Sequence, residues 1–268
     1  MTKDKNKKAD TVHIIPVGDG DGDAHHRQRD DKLFAEKRSL VRDFEFNDKT
    51  AAVFDDMVDR SIPFYDEIQR MVGELARDFA LPGTNLYDLG CSTGTTFLVL
   101  DDFLAPGVCF IGVDNSEDML VKARRKLRTV QSKRTLELIN ADLDTNPEIE
   151  NASVVILLLT LQFLRPLKRE KFLRHIFAGM RENACLILVE KLTCEYTLFN
   201  RLFINHYYEF KRRNNYSDLE IAQKREALEN VLIPYRSEEN HALLASIGFR
   251  HMEEFFRWYN FSGLVAVK

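Results

Sequence analysis

An α/β fold is what this sequence predicts: a parallel sheet with helices on its faces, a C-terminal antiparallel hairpin and an inserted helical pair. Three observations carry the prediction. Strand-length apolar runs alternate with helix-period segments between residues 86 and 191, the mark of repeated β-α units with right-handed crossovers. The first run, Leu86-Tyr-Asp-Leu89, feeds through a glycine turn, Gly90-Cys-Ser-Thr-Gly94, into a helix-like stretch opening Thr95-Thr-Phe-Leu98. The run at 153–159 is apolar throughout, as expected of a central parallel strand covered on both faces.

Taken in order, the first 33 residues are rich in Lys, Asp, Gly and His and carry few large apolar side chains. Such a segment cannot bury enough surface to offset its ordering entropy, so 1–33 is predicted to be a flexible tail and 34–268 a single α/β domain. Within the tail Asp19, Asp21 and Asp23 alternate as in a calcium loop and His25 and His26 follow; Ala24 in place of the needed Gly, and Asp30 in place of the closing Glu, argue against a metal. Asn47 or Asp48 can cap a helix carrying Ala51, Val53, Phe54 and Met57. Ser61 with Pro63 then opens a longer one to about Phe79, with Phe64, Ile68, Met71, Val72, Leu75 and Phe79 on one face. Tyr65 lies at the edge of that face, either packed or with its hydroxyl on the lip of a pocket.

Beyond the glycine turn the pattern reads as a strand at 108–113 ending in Asp114, a basic-faced helix at 118–130, and a strand at 135–139 leading to Ala141-Asp142-Leu143. The apolar strand at 153–159 is followed by a helix at 165–180 and a strand at 184–189 that delivers Glu190 and Lys191. A helical insertion spans about 195–235. Leu198, Phe199, Leu202, Phe203, Tyr207 and Phe210 form one amphipathic stripe, and the capping box Ser217-Asp-Leu-Glu220 opens a second helix. Segments 249–256 and 258–267 read as the closing hairpin.

With 268 residues, 44% of them apolar, the chain can bury the core of one such domain. A net charge of −4 argues against a broad nucleic-acid footprint, so direct tRNA binding is not expected. Cys91, Cys109, Cys185 and Cys194 form no C-x-x-C pair and read as reduced thiols; no membrane-length apolar run and no signal segment is seen. A cytoplasmic location is expected.

Ligands of parallel sheets bind beyond the carboxyl ends of the strands, where Gly90, Asp114, Asp142, Leu158 and Glu190 fall. Glycines let the backbone turn and approach a ligand, and free amides at the helix start favour an anion. Asp114, twenty residues after Gly94, can accept from both hydroxyls of a ribose. Asp142 can accept from an adenine amine while the Leu143 amide donates to a ring nitrogen. A dinucleotide fingerprint needs G-x-G-x-x-G, whereas here Ser92 takes the middle position and the third glycine is missing. The shorter loop, with a late antiparallel strand, instead resembles class I S-adenosylmethionine-dependent methyltransferases and their Rossmann-like sheet. On the second inserted helix Arg225 projects on the stripe of Ile221, Leu228 and Leu232 and needs an anionic partner, either Glu229 or Asp218 or a ligand carboxylate. The inserted helices are also a candidate oligomer face.

More specific blocks run from residue 44 to the end. They include Phe44-Glu-Phe-Asn47, Val53-Phe-Asp-Asp-Met57, Arg60-Ser-Ile-Pro-Phe-Tyr65, Tyr87-Asp-Leu-Gly-Cys-Ser92, Val113-Asp-Asn-Ser116, Thr160-Leu-Gln-Phe-Leu164, Asn215-Tyr-Ser217, Gln223-Lys-Arg225, Leu228-Glu-Asn-Val231 and Asn260-Phe261. In these the chain closely resembles the carboxy-S-adenosylmethionine synthases. The resemblance implies a homodimer that converts S-adenosylmethionine and prephenate into carboxy-S-adenosylmethionine and phenylpyruvate, without a metal, to supply the carboxymethyl group placed on a tRNA wobble uridine. It further implies that Tyr65, Gly90, Cys91, Ser92, Asp114, Asn115, Asp142 and Leu143 hold the nucleoside, and that Arg225 clamps the carboxylate on the sulfonium substituent, acting by charge rather than by proton transfer. Leu158 stands where the family places Asn, and Met180-Arg-Glu-Asn-Ala184 replaces a Gly-Gly turn. A conventional methyltransferase, or a protein that binds S-adenosylmethionine without turnover, are the alternatives.

Overall fold

The computed structural model describes residues 31–268. The Asp19-Asp21-Asp23 and His25-His26 reading and most of the expected tail lie outside those residues. Packed chain already starts within the 1–33 segment: Asp31 is 4% exposed, and its backbone carbonyl accepts from Arg60 while its carboxylate accepts from the Tyr216 hydroxyl. Polar bonds, rather than apolar area, order this stretch.

In chain order the elements are α1 (Asp48–Ser61), α2 (Tyr65–Phe79), β1 (Asn85–Leu89), α3 (Thr95–Phe103), β2 (Cys109–Asp114), α4 (Glu117–Lys126), α5 (Arg128–Gln131), β3 (Leu136–Asn140), β4 (Ala152–Leu158), α6 (Pro166–Gly179), β5 (Met180–Lys191), α7 (Thr197–Arg213), α8 (Asp218–Leu228), α9 (Ser237–Ile247), β6 (His251–Trp258) and β7 (Phe261–Val267). Asn47 caps α1 through Thr50, and Ser217 with Glu220 closes the expected capping box on α8. Ser61, by contrast, ends α1 instead of opening α2. Pro63 disfavours helical geometry at Ile62, which is extended, and Phe64 takes a left-handed φ of 55° before α2 starts. The helix expected at 118–130 breaks at Leu127 into α4 and α5. Between the inserted pair and the hairpin lies α9, which the sequence reading did not contain.

The seven strands form one sheet in the order β3-β2-β1-β4-β5-β7-β6. All pairs from β3 to β5 are parallel; β7 runs antiparallel to both β5 and β6. The closing hairpin therefore inserts its second strand into the sheet and leaves its first at the edge. Side chains alternate between faces as strand geometry demands. Leu86, Val154, Ile156 and Ile187 pack with Ile68, Val72, Phe97 and Leu120 from α2, α3 and α4. Tyr87, Val155, Leu157 and Leu186 pack with Phe172, Ile176 and Leu244 from α6 and α9 on the other side. Asn183, at φ 60°, takes the left-handed conformation within the segment that replaces a Gly-Gly turn, a geometry Asn tolerates better than most residues.

A strap from 31 to 44 crosses the inserted helices. Gln223 on α8 donates to the carbonyls of Phe34 and Glu36 and accepts from the Arg38 amide, and the Phe44 amide donates to the Ala227 carbonyl. Strap, α1, α7 and α8 thus roof the carboxyl ends of the strands. Among the described residues no helix is long and apolar enough to cross a membrane.

Candidate active site

The turn after β1 is held by close contact. Gly90 has φ 86°, and a Cβ there would stand 2.5 Å from Thr160 Oγ1, so only glycine fits. The amides of Gly90 and Cys91 both donate to the Val113 carbonyl, which ties the turn to β2. Ser92, at φ 48°, points its amide at Asp114 Oδ2 at 2.9 Å, while Asp114 Oδ1 accepts from the Ser116 amide at 2.9 Å. Each of these carboxylate oxygens retains a lone pair for a ligand hydroxyl.

Under the roof lies a cavity of about 620 Å³, within the range of small-molecule sites. Tyr65, Gly90, Cys91, Ser92, Asp114, Asn115, Asp142, Leu143, Leu158 and Arg225 all line it. Ten positions separated by up to 160 residues in the chain are brought together because they sit at strand ends, at the start of α2 or on the roof. The Tyr65 hydroxyl faces the cavity wall and accepts from Gln69 Nε2 at 2.9 Å; burial raises its pKa. Asp142 Oδ1 accepts from the Asp144 amide at 2.9 Å in an exposed turn, and its other oxygen accepts no hydrogen bond among the described residues.

The anion expected at the α3 N-terminus is in part supplied by the protein. Asp55 of α1 accepts from the hydroxyls of Thr93 at 2.6 Å and Thr95 at 3.2 Å and pairs with Lys126 at 2.7 Å. Burial opposes ionisation of Asp55, but Lys126 and the hydroxyls prevail and hold its pKa below the usual carboxylate value.

Asp88 escaped the sequence reading although it lies inside the quoted first-strand motif. It is 1% exposed, lines the cavity, and has an oxygen, Oδ2, without a hydrogen-bond partner among the described residues. Burial, together with nearby Asp114, pushes its pKa up to about 7. An orphaned carboxylate oxygen on a cavity wall suits a cationic ligand group, and S-adenosylmethionine carries both an ammonium and a sulfonium.

Arg225 is placed differently from expectation. It is exposed at the rim, and no hydrogen bond or ion pair of it occurs among the described residues, with Glu229 and Asp218 included. The buried face of α8 instead carries Ile221, Gln223, Lys224 and Ala227. One residue along a helix turns a side chain by roughly 100°. Lys224, at 6% exposure, is therefore the buried cation, with Lys211 of α7 at 5% beside it. Lys191, at the end of β5, also lines the cavity. Leu158 contributes an apolar surface where a polar one was expected of relatives.

Comparison with known proteins agrees with this architecture. A family model described as "Methyltransferase domain" matches residues 86–183. A carboxy-S-adenosyl-L-methionine synthase of Methylococcus capsulatus is 54% identical over 239 residues, covering 89% of this chain and 99% of that protein. One from Desulfotalea psychrophila is 44% identical, covering 85% and 93%. Among solved structures, human N-acetylserotonin methyltransferase in complex with SAM superposes with a TM-score of 0.55 at 14% identity, covering 82% of this chain and 55% of that one, a likeness of fold. On sequence identity along nearly the whole length of its relatives, the chain belongs to the carboxy-S-adenosyl-L-methionine synthase family, enzymes built on the class I methyltransferase fold.

Proposed function

We propose that this enzyme converts S-adenosyl-L-methionine and prephenate into carboxy-S-adenosyl-L-methionine and phenylpyruvate, and that the product supplies the carboxymethyl donor for tRNA wobble uridine modification. One observation supports the reading above others: the nine residues named for nucleoside and carboxylate share one roofed cavity. In this reading the nucleoside lies along Asp114, Asn115, Asp142 and Leu143, the methionine part faces Gly90, Cys91 and Ser92, and Tyr65 closes the wall. Asp88 receives the ammonium. The sulfonium acidifies its methyl group. Aromatisation of prephenate expels carbon dioxide and hydroxide, the hydroxide takes the methyl proton to leave as water, and the ylide carbon bonds to carbon dioxide. Atoms balance without a protein general base, so the site's task is positioning and charge stabilisation. Arg225 answers the new carboxylate. The exposed apolar side chains at the start of α7, Phe199 at 52% and Leu198 at 40%, with Tyr196 at 61% just before the helix, are the face proposed for a homodimer.

The test is incubation of the purified protein with S-adenosyl-L-methionine, with and without prephenate, and mass spectrometry of the nucleoside. A product heavier by one carboxyl group, formed only with prephenate and lost in Arg225→Ala, is expected. Methyl transfer to an acceptor without prephenate would establish a conventional methyltransferase instead. Binding without any product favours the reading in which Leu158 has removed a needed polar contact, and Leu158→Asn should then restore turnover.

A further inference from the structure

Three ammonium groups converge on one wall of the cavity with too few carboxylates to answer them. Lys191, Lys211 and Lys224 come from β5, α7 and α8 and all line the cavity. They are threaded along two tyrosine rings. Lys191 and Lys211 each stand 4.8 Å from the centroid of Tyr207, and Lys211 and Lys224 stand 5.9 and 5.4 Å from that of Tyr216. Neither Lys191 Nζ nor Lys211 Nζ makes a hydrogen bond or ion pair among the described residues, and Lys224 Nζ donates to Ser61 Oγ at 3.0 Å. Aromatic faces attract cations but carry no net charge.

The acids around this wall are few. Asp56 pairs with Arg60 at 3.4 Å. Glu220 is turned onto the Ser217 cap. Asp31 holds the Tyr216 hydroxyl and acts on both Lys211 and Lys224. With all three lysines protonated, one carboxylate leaves two positive charges unanswered, the charge of a dicarboxylate. The strain of this arrangement is visible in the lysines themselves. Burial, and then the neighbouring lysines, lower the pKa of Lys211 well below its ordinary value, and burial brings Lys191 and Lys224 down to about 8. Buried like charges without counter-ions are costly, and a bound dianion removes that cost.

We propose that Lys191, Lys211 and Lys224, bracketed by Tyr207 and Tyr216, form the subsite that holds the two carboxylates of the carboxyl-donating co-substrate, apart from Arg225 at the rim. The subsite rests on the donor reading above. It discriminates by charge: a dicarboxylate satisfies both surplus cations, whereas the monocarboxylate left after decarboxylation satisfies one and is released.

The test titrates prephenate and phenylpyruvate calorimetrically into the wild type and into Lys191→Met, Lys211→Met and Lys224→Met. S-adenosylhomocysteine is present to block turnover, each titration is repeated at pH 8 in two buffers of different ionisation heat, and wild-type turnover is assayed alongside. The wild type should bind prephenate about tenfold or more tighter than phenylpyruvate and take up protons as it does so. Each Met variant should lose about tenfold or more in prephenate affinity, keep its S-adenosylhomocysteine affinity and show reduced proton uptake. Lys211→Met should also melt no lower than the wild type, since methionine fills similar space without a buried charge. Unchanged prephenate affinity in the variants of a protein that turns prephenate over overturns the subsite and leaves the donor reading intact. Lysine-dependent binding without product keeps the subsite and removes the donor reading. Absence of prephenate binding to the wild type overturns both. If all three variants melt lower and lose both ligands in step, the lysines are structural and the subsite falls.

Discussion

The protonation of Asp88 sets a testable pH dependence. Its pKa, raised to about 7 chiefly by burial, lies above the unfolded value of 3.8, so the native state holds this proton where the unfolded chain has released it. The stabilising contribution is fully present below pH 3.8 and declines until pH passes 7. In the ligand-free protein the melting temperature of Asp88→Asn should therefore fall less than that of the wild type between pH 5 and pH 8, measured by scanning fluorimetry. Ligand binding runs the other way: an ionised Asp88 attracts the ammonium, so wild-type affinity for S-adenosyl-L-methionine should rise through pH 7, and Asp88→Asn should abolish that rise and cost about tenfold at pH 8. The strand-end residues were legible because topology places such positions on one side of a parallel sheet. Lys224 was not, because the groups that make its face of α8 the buried one, Ser61, Asp31 and Tyr216, come from three distant segments.

Elements with self-contained end signals were legible, and those whose ends depend on distant partners were not. The α8 capping box is local: Ser217 Oγ accepts from the Glu220 amide, and the Glu220 carboxylate accepts from the Ser217 amide at 2.8 Å. Ser217→Ala should destabilise the protein by about 1 kcal/mol in chemical denaturation. Because α8 carries Lys224 and Arg225, co-substrate affinity should fall with it. Helix α9 keeps only the return half of such a signal: the Glu239 carboxylate accepts from the Arg236 amide at 2.8 Å, but Arg236 rather than a Ser, Thr, Asp or Asn stands at its N-cap. What secures α9 is burial of Leu244 and Ile247 against the sheet and α6, which one sequence window does not display.

At the scale of the whole molecule, the parallel β-α repeat and the closing hairpin were readable from apolar pattern, whereas the strand order and the insertion of β7 between β5 and β6 were not, because a late antiparallel strand was expected at the sheet edge. The proposed partner contact belongs here. Tyr196 and Phe199 are paired edge to face at 5.4 Å and remain exposed. Phe199→Glu should convert a dimer to a monomer in sedimentation velocity while leaving far-ultraviolet circular dichroism unchanged. The strap has a consequence for biosynthesis. Asp31 is fastened to Tyr216, and Gln223 to Phe34 and Glu36, across 185 to 189 positions of chain. A nascent chain can pair β1 through β5 as they leave the ribosome, but its N-terminal segment has only Asp56 and Arg60 of α1 to bond to until α8 has emerged. The ligand chamber is consequently among the last parts of the molecule to become whole. Any length of polypeptide displayed during synthesis short of α8 presents a sheet end whose glycine turn is covered from the α1 side alone.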